Sequence, residues 1–209
     1  MKIGIIVAME KELEQLREAV AGGSRRHQVT LQKCGMGKVN AALGTQRMID
    51  NYKPDLIVSS GCAGGVGSGL SVCDVVVGST VAYHDVYCGP ESALGQVQGL
   101  PPFYEAPAPL VEKAIQVGAK AGLFASGDWF VDSVGKAKQI LECLPEAVAI
   151  DMESAAIAQV CWLNHVPFIS LRVISDLPLS EGNRQQYDNF WTTIANNSFQ
   201  ATKAFIDRL

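Results

Sequence analysis

Residues 147–176 read A-V-A-I-D-M-E-S-A-A-I-A-Q-V-C-W-L-N-H-V-P-F-I-S-L-R-V-I-S-D. The stretch divides into three. Ala147–Asp151 is a short apolar run of strand length, Ser154–Leu163 reads as a helix, and Val166–Ile174 is a strongly apolar, β-rich strand. Both strands run into acids: Asp151 and Glu153 flank Met152 after the first, and Asp176 follows the second. A carboxylate near apolar surroundings is costly unless something pairs with it or uses it.

The same alternation continues outward. Lys2–Val7 reads as a buried strand, and Glu10–Ala21 as a helix with Leu13, Leu16 and Val20 on one face. Val29–Cys34 is a strand broken by Gly35-Met36-Gly37, and Val39–Tyr52 is helical. Asp55–Ser59 is a further buried strand running into S-S-G-C-A-G-G-V-G-S-G at 59–69, and Asp74–Tyr83 is a long β-rich run. Residues 87–106, rich in proline and glycine, read as a long ordered loop, a feature often tied to function. Leu110–Ala121 and Ser133–Leu144 read as helices around a strand at Leu123–Ser126, and Tyr187–Leu209 as a final helix. Strands and helices in alternation predict an α/β protein, a three-layer α/β/α sandwich on a central sheet, in one domain over 1–209. Ligands of such sheets sit outside the carboxyl ends of strands, so the chemistry is sought there.

Composition narrows the function classes. The net charge of −4 with no basic cluster argues against a nucleic-acid partner. No stretch approaches the length of apolar chain that a membrane helix needs. The six cysteines are scattered without a CxxC and are expected to be reduced core thiols of a cytoplasmic protein. His27, His84 and His165 are far apart with no HExxH, so no metal site is expected. A Ser-His-Asp hydrolase using His84 or His165 would lack a GxSxG elbow. The glycines at 61, 64, 65, 67 and 69 fit neither a P-loop nor a dinucleotide fingerprint, so no cofactor is expected; they form either a tight turn or a close backbone approach to a ligand.

The acids remain. Glu12, Asp151, Glu153 and Asp176 all lie just past predicted strands. Each can cap the following turn or helix, or project into a partly desolvated crevice where a raised pKa lets it donate a proton. Paired carboxylates of unequal pKa are the equipment for cleaving a glycosidic bond.

Seven stretches in order carry a resemblance: M-K-I-G-I-I-V-A-M-E-K-E (1–12), G-M-G-K-V-N-A-A-L-G (35–44), S-G-C-A-G-G (60–65), A-Y-H-D (82–85), S-G-D-W-F-V (126–131), A-I-D-M-E-S-A-A-I-A (149–158) and R-V-I-S-D (172–176). Over nearly its full length the chain resembles the 5′-methylthioadenosine/S-adenosylhomocysteine nucleosidases of the nucleoside phosphorylase superfamily. That resemblance implies a phosphorylase/hydrolase-like fold with a mixed sheet, adenine nucleosides as small-molecule partners and a homodimer. By motif position it makes Asp176 the acid that protonates adenine N7 and Glu12 the carboxylate that activates water. Glu153 would bind the ribose hydroxyls, and Met152 would pack against the sugar. Phe130 would stack on the base and the Val131 backbone would bond its edge. Ala63 and Gly64 would line the ribose and water side, Ser175 would join the binding residues, and Tyr187 would cover the 5′ substituent. Asp151 is expected to be structural, bonding N–H groups at a helix start.

Phosphate-using members of that superfamily carry an arginine soon after the first strand, where this chain has Ala8, Met9 and Glu12, so hydrolysis is favoured. Cys62 departs from the smaller or hydroxyl-bearing residue common there, and the 86–105 loop appears shorter than usual, which leaves the 5′ group open. Leu100, Pro101, Pro102 and Phe103 form either a dimer contact or a packed surface loop. A purine nucleoside phosphorylase and a non-catalytic nucleoside-binding protein are the alternatives.

Overall fold

The first strand, β1 (Lys2–Val7), sends Ile3, Ile5 and Val7 into one apolar core and Ile6 into another. This is the period-two split of a strand buried on both faces. β3 (Leu56–Gly65) repeats it, with Leu56 and Val58 on the first side and Ile57 on the second. Each core is closed by helices. On the first side lie α1 (Glu10–Val20), with Leu13 and Leu16, and α7 (Gln200–Asp207), with Phe205 and Ile206. On the second lie α2 (Lys38–Tyr52), with Ala41 and Met48, and α5 (Ser154–Leu163), whose alanines and Ile157 meet the sheet. The computed structural model describes residues 1–20, 26–194 and 199–209.

The remaining elements are β2 (Gln28–Lys33), β4 (Val75–Tyr83), β5 (Tyr104–Glu105), α3 (Ala108–Ile115), β6 (Lys120–Ser126), α4 (Val134–Cys143), β7 (Ala147–Asp151), β8 (Phe168–Asp176) and α6 (Asn183–Asn189), the last continued by a π-helical turn at Phe190–Ile194. The sheet is mixed, in the order β2-β1-β3-β7-β6-β4-β5. β8 pairs parallel with β3 and antiparallel with β4, while the end of β3 pairs antiparallel with β7. The pairings of β3, β8, β4, β6 and β7 therefore form a ring, and the sheet curls on itself. The predicted sheet with helices on both sides is present; the curl was not anticipated.

Several boundaries differ from expectation. β3 runs on through the glycine-rich S-S-G-C-A-G-G instead of turning. Its glycines answer to close neighbours: a Cβ on Gly61 would lie 2.7 Å from the Glu12 carboxylate, and one on Gly64 2.6 Å from Pro178. The helix expected over 110–121 stops at Ile115, because Gly118 takes φ +95° and Lys120 already starts β6. The long C-terminal helix is instead α6, the π turn and α7. Residues 195–198, and Ala21 at the expected end of the first helix, lie outside the described residues. The cysteines are free, but Cys73, Cys88 and Cys143 are exposed, so only part of the core-thiol expectation stands.

Candidate active site

The carboxyl ends of β1, β3, β6, β7 and β8 open onto one cleft enclosing about 620 Å³, its mouth included. All ten residues given a catalytic or binding part from the sequence line it: Glu12, Ala63, Gly64, Phe130, Val131, Met152, Glu153, Ser175, Asp176 and Tyr187; Asp151 and Cys62 line it too. Ala8, Met9, Met36, Trp129 and Pro178 line it as well and were not anticipated.

Glu12 lies in the first turn of α1 and folds back on the end of β1. Its Oε2 accepts from the backbone N–H of Ala8 and of Met9, each at 2.9 Å, and its Oε1 accepts from Cys62 N–H at 3.1 Å. The missing side chain of Gly61 leaves room for this carboxylate and for the Arg172 guanidinium behind it. Arg172 is buried. Its Nε donates to Asp151 Oδ2 at 2.8 Å, and its Nη2 donates to Ser59 Oγ and Ser154 Oγ at 2.9 and 3.1 Å. Asp151 also accepts from the Ser154 N–H at the start of α5, at 3.2 Å, and from the Ser154 hydroxyl. Asp151 thus bonds the helix start as expected, and in addition it pairs with the buried arginine.

Glu153 accepts from Gly37 N–H at 2.9 Å. Asp176 ends β8; its Oδ1 accepts from Ser175 Oγ at 2.7 Å and its Oδ2 from Asn183 Nδ2 at 3.2 Å. The same Asn183 amide donates to Val131 O at 2.9 Å, which ties the 126–131 segment to the acid. No motif in the sequence pointed to Asn183. Phe130 and Tyr187 meet edge to face at 5.4 Å, and the Tyr187 hydroxyl donates to Met9 Sδ at 3.7 Å. Among the described residues both ring nitrogens of buried His84 lack a hydrogen-bond partner, whereas a triad base is held by two, so His84 is not placed as one. Among the described residues no group of His, Cys, Asp and Glu is placed to hold a metal ion.

The phosphorylase superfamily profile matches residues 2–207. A 5′-methylthioadenosine/S-adenosylhomocysteine nucleosidase of Exiguobacterium sp. is 39% identical, with 100% of this chain and 99% of the relative covered. The chain belongs to this family of nucleosidases within the phosphorylase superfamily. The solved Neisseria meningitidis nucleosidase, in complex with methylthio-immucillin-A, is 34% identical at a TM-score of 0.91, covering 100% of this chain and 99% of that one. A Helicobacter pylori futalosine hydrolase mutant is 27% identical, also at a TM-score of 0.91, with 100% of both chains covered.

In this nucleosidase-family chain the buried acids are tuned by their neighbours. Burial pushes Glu12 up, while Arg172 and the three backbone N–H groups hold it down. Burial also pushes Asp176 up, and its counterweights are neutral donors only, Ser175 and Asn183. Burial and the nearby Asp151 push Glu153 up to about 7, against Arg172 and the Gly37 N–H.

The Glu153 shift has a consequence for stability. Its folded pKa exceeds the ordinary 4.5, so the folded state keeps the proton longer than the unfolded chain. The stability this brings is present below the unfolded pKa and is lost as pH rises towards about 7. Glu153→Gln retains an acceptor for Gly37 and removes the titration. The variant is expected to melt higher than the parent at about pH 8 and to show a flatter melting temperature between about pH 5 and 7, with a raised KM. Thermal unfolding across pH checks this; an unchanged pH profile of melting counts against the assignment.

Proposed function

We propose that the chain hydrolyses the N-glycosidic bond of 5′-methylthioadenosine and S-adenosylhomocysteine, releasing adenine and the 5-thio-substituted ribose. The observation that carries the reading is the charge of the cleft. Among the described residues its lining includes four carboxyl groups, Glu12, Asp151, Glu153 and Asp176, and no Lys, Arg or His side chain. A phosphate nucleophile needs cationic partners, and this lining offers it none. A water molecule is accepted by the same acids, and so is a ribose that turns cationic as its bond to the base breaks.

Asp176 and Glu12 divide the acid and base work by environment. Asp176, buried with only neutral donors, holds its proton and delivers it to N7 of the departing adenine. Glu12, beside Arg172 and three N–H groups, ionises more readily and takes the proton of the attacking water. Glu153 receives the ribose hydroxyls, Met152 packs on the sugar, and Ala63 and Gly64 line the ribose and water side. Ser175 steadies Asp176. Phe130 stacks on adenine and the Val131 backbone bonds its edge. Tyr187, with Met9, forms an apolar cover suited to a methylthio group. Protonating the leaving base is worth about 10²–10⁴-fold.

The test is to incubate the purified protein with 5′-methylthioadenosine, with and without phosphate, and identify both products. Adenine and free methylthioribose without phosphate are expected. A strict phosphate requirement with a 1-phosphate product would overturn hydrolysis in favour of phosphorolysis, and binding without base release would leave a nucleoside-binding protein. The same assay with S-adenosylhomocysteine and an aminofutalosine-type nucleoside ranks the 5′ groups. The homodimer belongs to the same proposal: Val39, Leu43, Phe103 and Trp162 are exposed apolar side chains that a second copy would cover. A monomer in sedimentation at micromolar concentration would remove it.

A further inference from the structure

Three of the sequence stretches that carry the resemblance contribute residues with no part in the chemistry above: Gly37-Lys38, Asp85 and Asp128. They meet at the N-terminus of α2. That helix begins at Lys38 behind Gly37, which has no side chain to cap it. Its first N–H groups are satisfied from elsewhere in the chain. Gly37 N–H donates to Glu153 Oε1 at 2.9 Å, and Lys38 N–H donates to Asp128 Oδ1 at 2.7 Å. One carboxylate comes from the proposed sugar side of the cleft and the other from the segment proposed to hold the base. A negative charge at each also suits the positive end of the helix dipole.

Behind the Lys38–Asp128 bond stands Asp85. Its Oδ2 accepts from Lys38 Nζ at 2.7 Å and from the backbone N–H of Asp128 at 2.8 Å. The Lys38–Asp85 pair is mostly shielded, with side-chain exposures of 26% and 10%, and the ammonium lies 5.5 Å over the Tyr83 ring. The approach is tight: a Cβ on Gly37 would lie 2.8 Å from Asp128 Oδ1, and one on Gly127 2.7 Å from the Asp85 carboxyl carbon. Neither Asp85 nor Lys38 lines the cleft.

We infer that Asp85 and Lys38 are positioning residues for the glycosidic reaction, forming a clasp that locks the 128–131 segment and Glu153 to the same helix end so that base and sugar are held in one geometry. The inference rests on the proposed nucleosidase reading for what is positioned. Substrate-positioning groups act at a distance: a misplacement of about 1 Å can cost about 10²-fold in rate.

The experiment compares Asp85→Ala, Lys38→Met and the double variant with the parent, well below their melting temperatures. Each single variant should lose at least about tenfold in kcat/KM for 5′-methylthioadenosine, with weaker inhibition by adenine. The double variant should lose no more than the worse single, as expected for two members of one unit. Amide hydrogen exchange should quicken at both 36–40 and 127–131 in either single variant. Wild-type kinetics, or exchange unchanged at both segments, overturns the clasp; lowered melting with normal kcat, KM and adenine inhibition makes the pair merely structural and overturns it too. Absence of adenine release by the parent would instead overturn the nucleosidase reading, and hydrogen exchange, which needs no turnover, would then decide the clasp.

Discussion

Asp176→Asn is expected to fold normally and to lose about 10²–10⁴-fold in kcat on adenine nucleosides, with KM little changed. The side chain is 6% exposed, and its two oxygens accept from Ser175 and Asn183. Asparagine has the same shape: its oxygen can accept from Asn183, and its amide can donate to the Ser175 hydroxyl, which can turn its own proton to Ala63 O, so the end of β8 and the tie to Val131 have no reason to move. What it lacks is an acidic proton for the purine, and the expelled base would have to leave as an anion. Stability should hold or improve at neutral pH, because the substitution removes a carboxyl whose ionised form burial disfavours. Steady-state kinetics beside thermal unfolding checks both halves. A folded variant turning over like the parent would show that Asp176 is not the acid.

Glu12→Gln is expected to nearly abolish turnover while leaving adenine affinity close to that of the parent. A general base of this kind is worth about 10²–10⁴-fold. Here the structural cost differs from that at Asp176. Both oxygens of Glu12 accept backbone N–H groups, from Ala8, Met9 and Cys62. An amide must aim its own N–H₂ at one of those donors, at a cost of about 1–3 kcal/mol. A lower melting temperature should therefore accompany the loss of turnover, and adenine binding by calorimetry separates the two effects. Normal turnover would remove Glu12 from the mechanism.

The four acids were legible in the sequence because each follows an apolar run that had to be a strand, and strand ends are where an α/β sheet offers its ligands. The resemblance added Phe130, Val131 and Tyr187, which line the same cleft. Less legible were features whose cause lies in a distant part of the chain. The 60–65 glycines read as either a tight turn or a close approach to a ligand, yet they stay in β3, where Gly61 and Gly64 make room for Glu12 and Pro178 from other elements. Asn183 follows no strand and belongs to no motif, but it bridges Val131 and Asp176. Arg172, one polar residue in an apolar strand, could be read as a cation near the site, but not as the buried partner of Asp151. The helix over 110–121 was overrun because apolar spacing persists past Gly118, while the backbone there does not.

The place of β8 carries a consequence for how the molecule is made. This strand fills the gap between β3 and β4, and both are synthesised long before it. Until Phe168–Asp176 leaves the ribosome, two strands have open edges, which template association with other chains. A nascent or truncated chain that stops before residue 168 should therefore aggregate and not form a smaller folded body. The strand that seals those edges also brings Arg172 and Asp176, so the last piece to close the barrel-like ring is the one that supplies the proposed acid.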